Sequence, residues 1–179
     1  MAFKADYSRA TTDSKLKPEG DYECIITGIE ERSAKTGTRY LNFTLTIRND
    51  VEGQRYGNAC LFFSVYEKKT DPTKEDMSAN GYNFDILMGV SKAAGLPKDA
   101  EYKDFNDFIA HLQNKCVLAH MEYDDYNDKV RELVRWLNPT KHPDCKHVFK
   151  AKTTTQTTQF AAAPVSAPAS TDDDDYPFM

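Results

Sequence analysis

The chain lacks the sequence signatures of common enzyme classes and of membrane proteins. It contains no Gly-rich phosphate loop ending in Gly-Lys-Ser/Thr, no His-Glu-x-x-His and no Gly-x-Ser-x-Gly. No apolar run approaches the roughly 20 residues that span a bilayer, and no basic segment with a following apolar run stands near Met1. We therefore expect a cytoplasmic protein without catalytic activity, cofactor or membrane contact.

Cysteine is also scarce, with four among 179 residues. Three of the four, Cys24, Cys60 and Cys116, fall in apparent strands, where a free thiol packs as a small hydrophobic group. The four are far apart in the sequence. This pattern predicts reduced thiols and not a disulfide framework.

Two clusters have the composition of metal sites but not the pattern. His142, Cys145 and His147 are closely spaced, yet a structural zinc site needs four ligands and no second cluster accompanies them, although Cys116 or His120 are candidates for the missing positions. The three aspartates between positions 124 and 128 fall at an apparent hairpin turn, where Asp is favoured because its side chain bonds the backbone. We expect no bound metal.

Charge is unevenly distributed along the chain. The net charge is −5, from 23 Lys and Arg against 28 Asp and Glu. All 23 basic residues precede position 153, whereas four aspartates stand at 172–175, which leaves the rest of the chain at 23 − 24 = −1. A nearly neutral body can still present a basic groove, because DNA affinity depends on local placement of Lys and Arg. Composition alone therefore neither establishes nor excludes DNA binding.

The order of secondary structure predicts a mainly β domain. An irregular arm over 1–17 precedes three strands at 21–32, 40–48 and 58–66, with Gly28 as a bulge in the first. Helices follow at 84–94, capped by Asn83 and closed by Gly95, and at 105–112. Strands at 115–123 and 129–137, joined by a turn at 124–128, complete the body.

Three strands, a helical insertion and two more strands match the OB-fold, a five-stranded, partly open barrel that binds nucleic acid on strands two and three. A β-sandwich is the competing architecture, but it requires about seven strands. We expect one OB-fold-like domain over 18–150, and no second domain.

Alternation in strands two and three places aromatic rings on the side opposite the predicted core. Leu41, Phe43, Leu45 and Ile47 point one way. The candidate base-stacking rings on the other side are Tyr40, Phe62 and Tyr66, and the candidate phosphate contacts around them are Lys35, Arg39, Arg48, Arg55, Lys68 and Lys69. The alternative is that a loop or a second copy covers these rings.

The last strand adds further candidates. Arg131 and Arg135 are predicted on one face, together with Leu133 and Leu137. Trp136 either stacks a base or belongs to the core, which is the more common place for a lone Trp in a strand.

The end of the chain differs in composition from everything before it. Residues 153–171 carry no charge and few large apolar groups, which predicts a disordered linker over 151–171 whose ends lie about 25 Å apart. An acidic tail at 172–179 follows. Its partner-binding candidates are Asp172, Asp173, Asp174, Asp175, Tyr176, Pro177 and Phe178.

The tail resembles the C-terminal tip of bacterial-type single-stranded DNA-binding proteins, in which an Asp-rich run is followed by Pro-Phe. Tyr176 and the terminal Met179 depart from that pattern. The segment from Pro18 to Pro139 also resembles a phage protein family associated with replication and recombination, through its opening Lys-Pro-Glu-Gly-Asp-Tyr and its closing Trp-Leu-Asn-Pro. The first resemblance implies that replication and repair proteins dock on the tail.

Together these features predict a phage-type single-stranded DNA-binding protein. It would coat single strands without strong sequence preference and recruit replication, recombination and DNA repair proteins through its tail. Two alternatives stay open at this stage: a recombination accessory or strand-annealing protein, and an adaptor or decoy that does not bind DNA. Whether the protein forms a homo-oligomer is equally open.

Overall fold

A computed structural model describes residues 16–126 and 129–150 and confirms the mainly β prediction. The predicted arm up to residue 15, the linker at 151–171 and the tail at 172–179 lie outside the described residues. In chain order the elements are β1 (Gly20–Ser33), β2 (Arg39–Ile47), β3 (Cys60–Tyr66), α1 (Lys74–Ser78), α2 (Phe84–Ala93), α3 (Phe105–Leu112), β4 (Cys116–Tyr126) and β5 (Lys129–Pro139).

The strands form one five-stranded antiparallel sheet in the order β3-β2-β1-β4-β5. The long central β1 pairs with β2 along most of its length and with β4 over its first part. The register against β2 shifts between Ile26 and Gly28, so the predicted bulge at Gly28 is confirmed. A bulge bends its strand, which lets one strand serve two differently oriented neighbours.

The sheet curves without closing. Its two edge strands, β3 and β5, lie close to each other but form no ladder, and α2 packs against β5 beneath this seam. The helical insertion between the third and fourth strands is as predicted, whereas "barrel" describes the sheet only loosely. None of the helices in the described part of the chain is long and apolar enough to cross a membrane.

The core lies on the concave side of the sheet and is built by strand alternation. The predicted set from β2, Leu41, Phe43, Leu45 and Ile47, is buried, and residues from β3, β4 and the helices pack against it. Each fully buried side chain of this size contributes roughly 1.5–3 kcal/mol relative to an exposed one. The helices supply Leu87, Val90, Phe108 and Leu112.

The helical insertion contains one helix that the sequence analysis missed. In α1, the N-cap Thr73 accepts a hydrogen bond from the Asp76 N–H, and the Asp76 carboxylate accepts one from the Thr73 N–H. This capping box is visible in the sequence as Thr-x-x-Asp, between the predicted strand at 58–66 and the predicted helix at 84–94. The predictions for α2 are confirmed, since Asn83 caps its first turn and Gly95 follows its end with φ = 68°.

The turn predicted at 124–128 begins later in the structure than expected. Residues 124–126 continue β4, because Asp124 pairs with Arg131 and Asp125 with Val130 across the ladder. The start of the described chain packs on this hairpin. Lys17 donates to Glu132 from both its backbone N–H and its Nζ, at 2.6 and 2.7 Å.

Candidate nucleic-acid interface

Three aromatic rings share the outward side of β2 and β3, and we call Tyr40, Phe62 and Tyr66 the aromatic face. Tyr40 pairs with Tyr66 across the ladder, and their ring centroids are 5.2 Å apart. Phe62 is 55% exposed and Tyr66 50%, while Tyr40 is half-buried. The rings lie on the predicted side of the sheet, and no described segment covers Phe62 or Tyr66.

Asn42 lies in the middle of this surface and was not identified from the sequence. It stands opposite Ser64, between Tyr40 and Thr44 on its own strand. Its side chain is 5% exposed, and Nδ2 has no hydrogen-bond partner among the described residues. Strand alternation predicts its side of the sheet but carries no signal for an unsatisfied amide. A buried donor without an acceptor costs free energy. Packing alone favours an apolar residue at this position, so stability does not explain the presence of Asn42.

The predicted phosphate contacts at the Tyr40 and Tyr66 end of the sheet are mostly engaged by carboxylates. Arg39 lies 3.1 Å from Glu67 and 3.6 Å from Glu31, and its guanidinium stands 5.5 Å from the centroid of the Tyr82 ring. The backbone N–H of Arg39 also donates to Glu67, and this bond chiefly lowers the pKa of that carboxyl. Lys35, in the loop before β2, is exposed and makes no ion pair within the described chain.

Lys68 and Lys69, predicted to follow strand three, lie at the same end of the aromatic face. Lys68 is 3.1 Å from Asp76, and Lys69 is 3.5 Å from Glu67. Backbone N–H groups of Phe84 and Thr73 hold the pKa of Asp76 well below its usual range, so this carboxylate stays charged beside Lys68. The pair of Lys69 and Glu67 is partly exposed and therefore weak, whereas Asp76 is buried and holds Lys68 more firmly.

Arg48 corrects the sequence analysis. It was predicted to contact phosphate, but it is 1% exposed. Its guanidinium binds the Asp50 carboxylate through Nε and Nη2 at 2.9 and 2.7 Å, and donates to the backbone carbonyls of His142 and Asp144. The pair raises the pKa of Arg48 and holds that of Asp50 far below its usual range. Four of its five N–H donors are thus bonded, and the guanidinium is too deeply buried for DNA to reach it. Arg48 therefore fastens a distant part of the chain.

The segment that covers Arg48 follows β5, and we call residues 140–150 the strap. Glu23, which is buried, accepts hydrogen bonds from the Thr140 hydroxyl and the Lys141 N–H. Farther along, Asn49 exchanges two hydrogen bonds with the backbone of Val148, and the Lys150 N–H donates to Asn58. The strap thus closes over one end of the outward side of the sheet, at the loop that carries Arg55. Arg55 itself is exposed and has no ion pair with any described residue.

A bulge in β5 changes the side of the sheet on which the residues after it lie. The register shifts so that Met121 pairs with Val134 and His120 with Trp136, which leaves Arg135 as the extra residue. Beyond this point the alternation is inverted, and Leu137 packs on the core instead of sharing the face of Arg131. Arg131 bonds Asp124, and Arg135 bonds Glu122 at 3.1 Å. Trp136 is not a core residue, since 47% of it is exposed.

Comparison with known proteins adds a family. Residues 3–146 match the model described as "Protein of unknown function (DUF669)". The chain belongs to the DUF669 family. No curated protein matches it significantly. The match covers the whole sheet and most of the strap, whereas the candidate partner-binding residues at 172–178 lie beyond it and outside the described residues.

The thiols and histidines of this DUF669 chain form no recognisable metal centre. Among the described residues, no group of three or more His, Cys, Asp and Glu is arranged to hold an ion, and all four cysteines are free. His147 instead accepts a hydrogen bond from the Asn49 N–H through Nδ1, and burial lowers its pKa. Cys116 contacts Cys145 in the strap, and burial raises the pKa of Cys116 to about 11. These groups hold the strap in place.

A cavity of the DUF669 fold is lined by none of the residues of the aromatic face. It measures about 770 Å³ and lies among α1, α2, α3 and the loop between the last two helices. Its walls are mainly apolar, and at its rim Lys92 and Lys98 are balanced by Asp99 and Asp104. With no net charge at the rim, this cavity has no electrostatic preference for DNA or for the acidic tail.

Proposed function

We propose that this protein binds single-stranded DNA on the aromatic face, without catalysis, in the cytoplasm, and that residues 172–178 recruit replication or recombination proteins. The observation that carries the proposal is the exposure of Phe62 and Tyr66 beside Tyr40 on strands β2 and β3. Exposed clusters of large apolar groups are rare on monomeric proteins unless they bind something. Rings on a shallow sheet suit unpaired bases, because every base has a face that can stack.

The cations around these rings predict the character of the binding. Lys35 and Arg55 have no ion pair within the described chain, whereas Arg39, Lys68 and Lys69 must exchange a carboxylate for a phosphate. Few phosphates are therefore neutralised without cost. Since each one contributes about −0.7 to the slope of log K against log salt for single strands, we expect a shallow slope of roughly −1 to −3. Stacking supplies most of the affinity.

The test is a titration of purified full-length protein with labelled oligonucleotides of about 16 nucleotides, as single-stranded DNA, duplex DNA and RNA, at about 50 and 200 mM salt. We expect single-stranded DNA to bind best, with the shallow salt slope described above. Equal affinity for duplex and single strand, or no binding to either, contradicts the proposal. Adding the complementary strand then distinguishes coating from annealing, because an annealing protein accelerates duplex formation.

One observation favours a second function, that of an adaptor that binds protein and not DNA. Most cations predicted to contact phosphate are already paired with carboxylates, among them Arg39, Arg131 and Arg135. An aromatic face bordered by neutralised charges also suits a protein partner. The same titration separates the two functions, since an adaptor leaves every oligonucleotide unbound.

A further inference from the structure

Trp136 is the only tryptophan of the chain, and it stacks on a histidine. It faces His120 across the β4–β5 ladder, with ring centroids 4.3 Å apart and planes within 4° of parallel. One side of the indole is thus occupied, although 47% of the residue remains exposed. The exposed surface belongs to the other side and the edge of the ring. A second flat group can stack there.

His120 is held in place by charged groups from every strand around it. Its Nδ1 lies 2.7 Å from Asp21 on β1, and its Nε2 lies 3.3 Å from Glu122 on its own strand. Arg135 on β5 binds the same Glu122, and Lys141 lies 3.9 Å from Asp21. With a carboxylate at each ring nitrogen, the hydrogen bond to Asp21 above all raises the pKa of His120. The protonated ring stacks on the electron-rich indole as a cation.

The indole lines a groove that runs along the open seam of the sheet. The groove measures about 380 Å³, and its walls come from β3, α2 and β5, including Ser64, Ile86, Gly89 and Arg135. Ser64 stands between Phe62 and Tyr66 on β3. The groove therefore borders the strand that carries two rings of the aromatic face. It exists because β3 and β5 approach each other without pairing.

We propose that one base of a bound DNA single strand stacks on Trp136 in this groove, so that the strand crosses from β3 to β5 over the open seam. The inference rests on the proposed function and adds a subsite to it. A nucleotide fits the chemistry of the groove better than an aliphatic side chain does, because the indole offers a flat face and Arg135, which also lines the groove, can exchange Glu122 for a phosphate. His120 is a positioning residue that fixes the plane of the indole.

The sole tryptophan makes the subsite directly observable. Oligo-dT of about 16 nucleotides is titrated into the full-length protein, with fluorescence anisotropy of a label on the DNA and Trp136 emission recorded in parallel. We expect Trp136 emission to be quenched, with saturation at the same DNA concentration as anisotropy. Binding by anisotropy without any change in Trp136 emission overturns the subsite and leaves the proposed function standing. An absence of anisotropy change overturns both.

Two variants test the groove independently. Trp136→Ala should weaken binding about 5- to 100-fold, the range for loss of one stacked base. Gly89→Leu should weaken it similarly while leaving the indole intact, because Gly89 lines the groove and an added Cβ there meets no atom within 4 Å. Gly89→Ala is the matched control, since it stabilises α2 and adds only one methyl group. Wild-type affinity in both Trp136→Ala and Gly89→Leu contradicts the subsite.

The role of His120 has its own readout. In the wild type, binding should weaken as the pH rises through the raised pKa of His120, somewhat above the ordinary value of about 6.5, because the stacked cation is lost. His120→Gln should remove this step in the pH profile while retaining binding at high pH. A step that persists in His120→Gln contradicts the positioning role. If deletion of residues 172–179 changes Trp136 emission in the absence of DNA, the tail occupies the groove and the DNA subsite is wrong.

Discussion

The two ends of the outward side of β2 and β3 differ in what covers them. At the end near Ile47, Arg48 is buried beneath the strap. Toward the other end, Phe62 and Tyr66 remain exposed beside Tyr40. Alternation along the two strands predicts the same side of the sheet for all of these residues. Alternation therefore determines the side of the sheet, whereas a segment some 94 residues later in the chain determines exposure.

The contrast also separates stability from binding. At the covered end the charged groups are satisfied internally, since Asp50 and two strap carbonyls take up the Arg48 guanidinium. At the open end large rings stay in contact with water and contribute little to folding. Polar groups that are fully paired favour a unique fold, and apolar groups that are left uncovered favour association.

The largest expected effect is at the covered end. Arg48→Met should lower the free energy of unfolding by about 3–5 kcal/mol, because it leaves the largely buried Asp50 carboxylate without its cationic partner. Urea denaturation with an unchanged m-value measures the loss. Arg55→Met is the matched control in the exposed loop nearby and should change stability by less than about 0.5 kcal/mol. Similar stabilities for the two variants contradict the structural role of Arg48.

For DNA binding the order of the two effects should be reversed: Arg55 should matter and Arg48 should not. Under conditions where both variants are folded, Arg48→Met should bind single-stranded DNA as the wild type does, because the Arg48 guanidinium of the wild type is buried and out of reach of DNA. Arg55→Met should bind more weakly and with a salt slope smaller by about 0.7, as expected for one lost phosphate contact. If Arg48→Met weakens binding and Arg55→Met does not, Arg48 is a DNA contact.

The sequence predicted the order of the five strands, the bulge at Gly28, the caps of α2 and the buried side of β2, because each of these depends on neighbouring residues. It misassigned Arg48, whose surroundings come from the strap. It also misassigned Leu137, because a bulge at Arg135 inverts the alternation and no Gly marks the position. The paired state of Arg39 and Lys68 was equally invisible, since Glu67 and Asp76 reach them only in the folded chain.

At the open end, the rings should matter for binding and not for folding. Phe62→Ala combined with Tyr66→Ala should weaken single-strand binding by about 2–4 kcal/mol, on the scale of 1–3 kcal/mol for each stacked base. The free energy of unfolding should change by less than about 1 kcal/mol, because both rings are already half exposed. Met77→Ala, an exposed apolar residue on α1, controls for general surface effects. Global unfolding of the double variant means that the rings belong to the core.

Lowering the pH should weaken the ion pair of Asp50 and Arg48 at the covered end. The pKa of Asp50 is lowered by its bond to Arg48, so this carboxylate contributes stability above its unfolded pKa of about 3.9 and loses it as the pH falls through the folded value. Asp50→Asn should cost on the order of 2 kcal/mol at pH 7. The gap to the wild type should narrow steadily below about pH 4. A gap that stays constant from pH 7 to pH 2 contradicts the ion pair.

The smallest expected effect concerns the tail at 172–179. The described chain ends at Lys150, which donates to Asn58 near the start of β3. Deleting residues 172–179 removes four aspartates and should leave stability unchanged. Single-strand binding should stay the same or tighten by a few-fold at low salt, because the carboxylates repel phosphates over about one Debye length. Capture of replication or recombination proteins by the immobilised protein should disappear, with Asp172–Asp175 replaced by Asn as a charge-only control. If the truncated protein still captures the same partners, the folded domain recruits them. If the truncated protein no longer binds DNA, the tail contributes to the DNA-binding site at the open end.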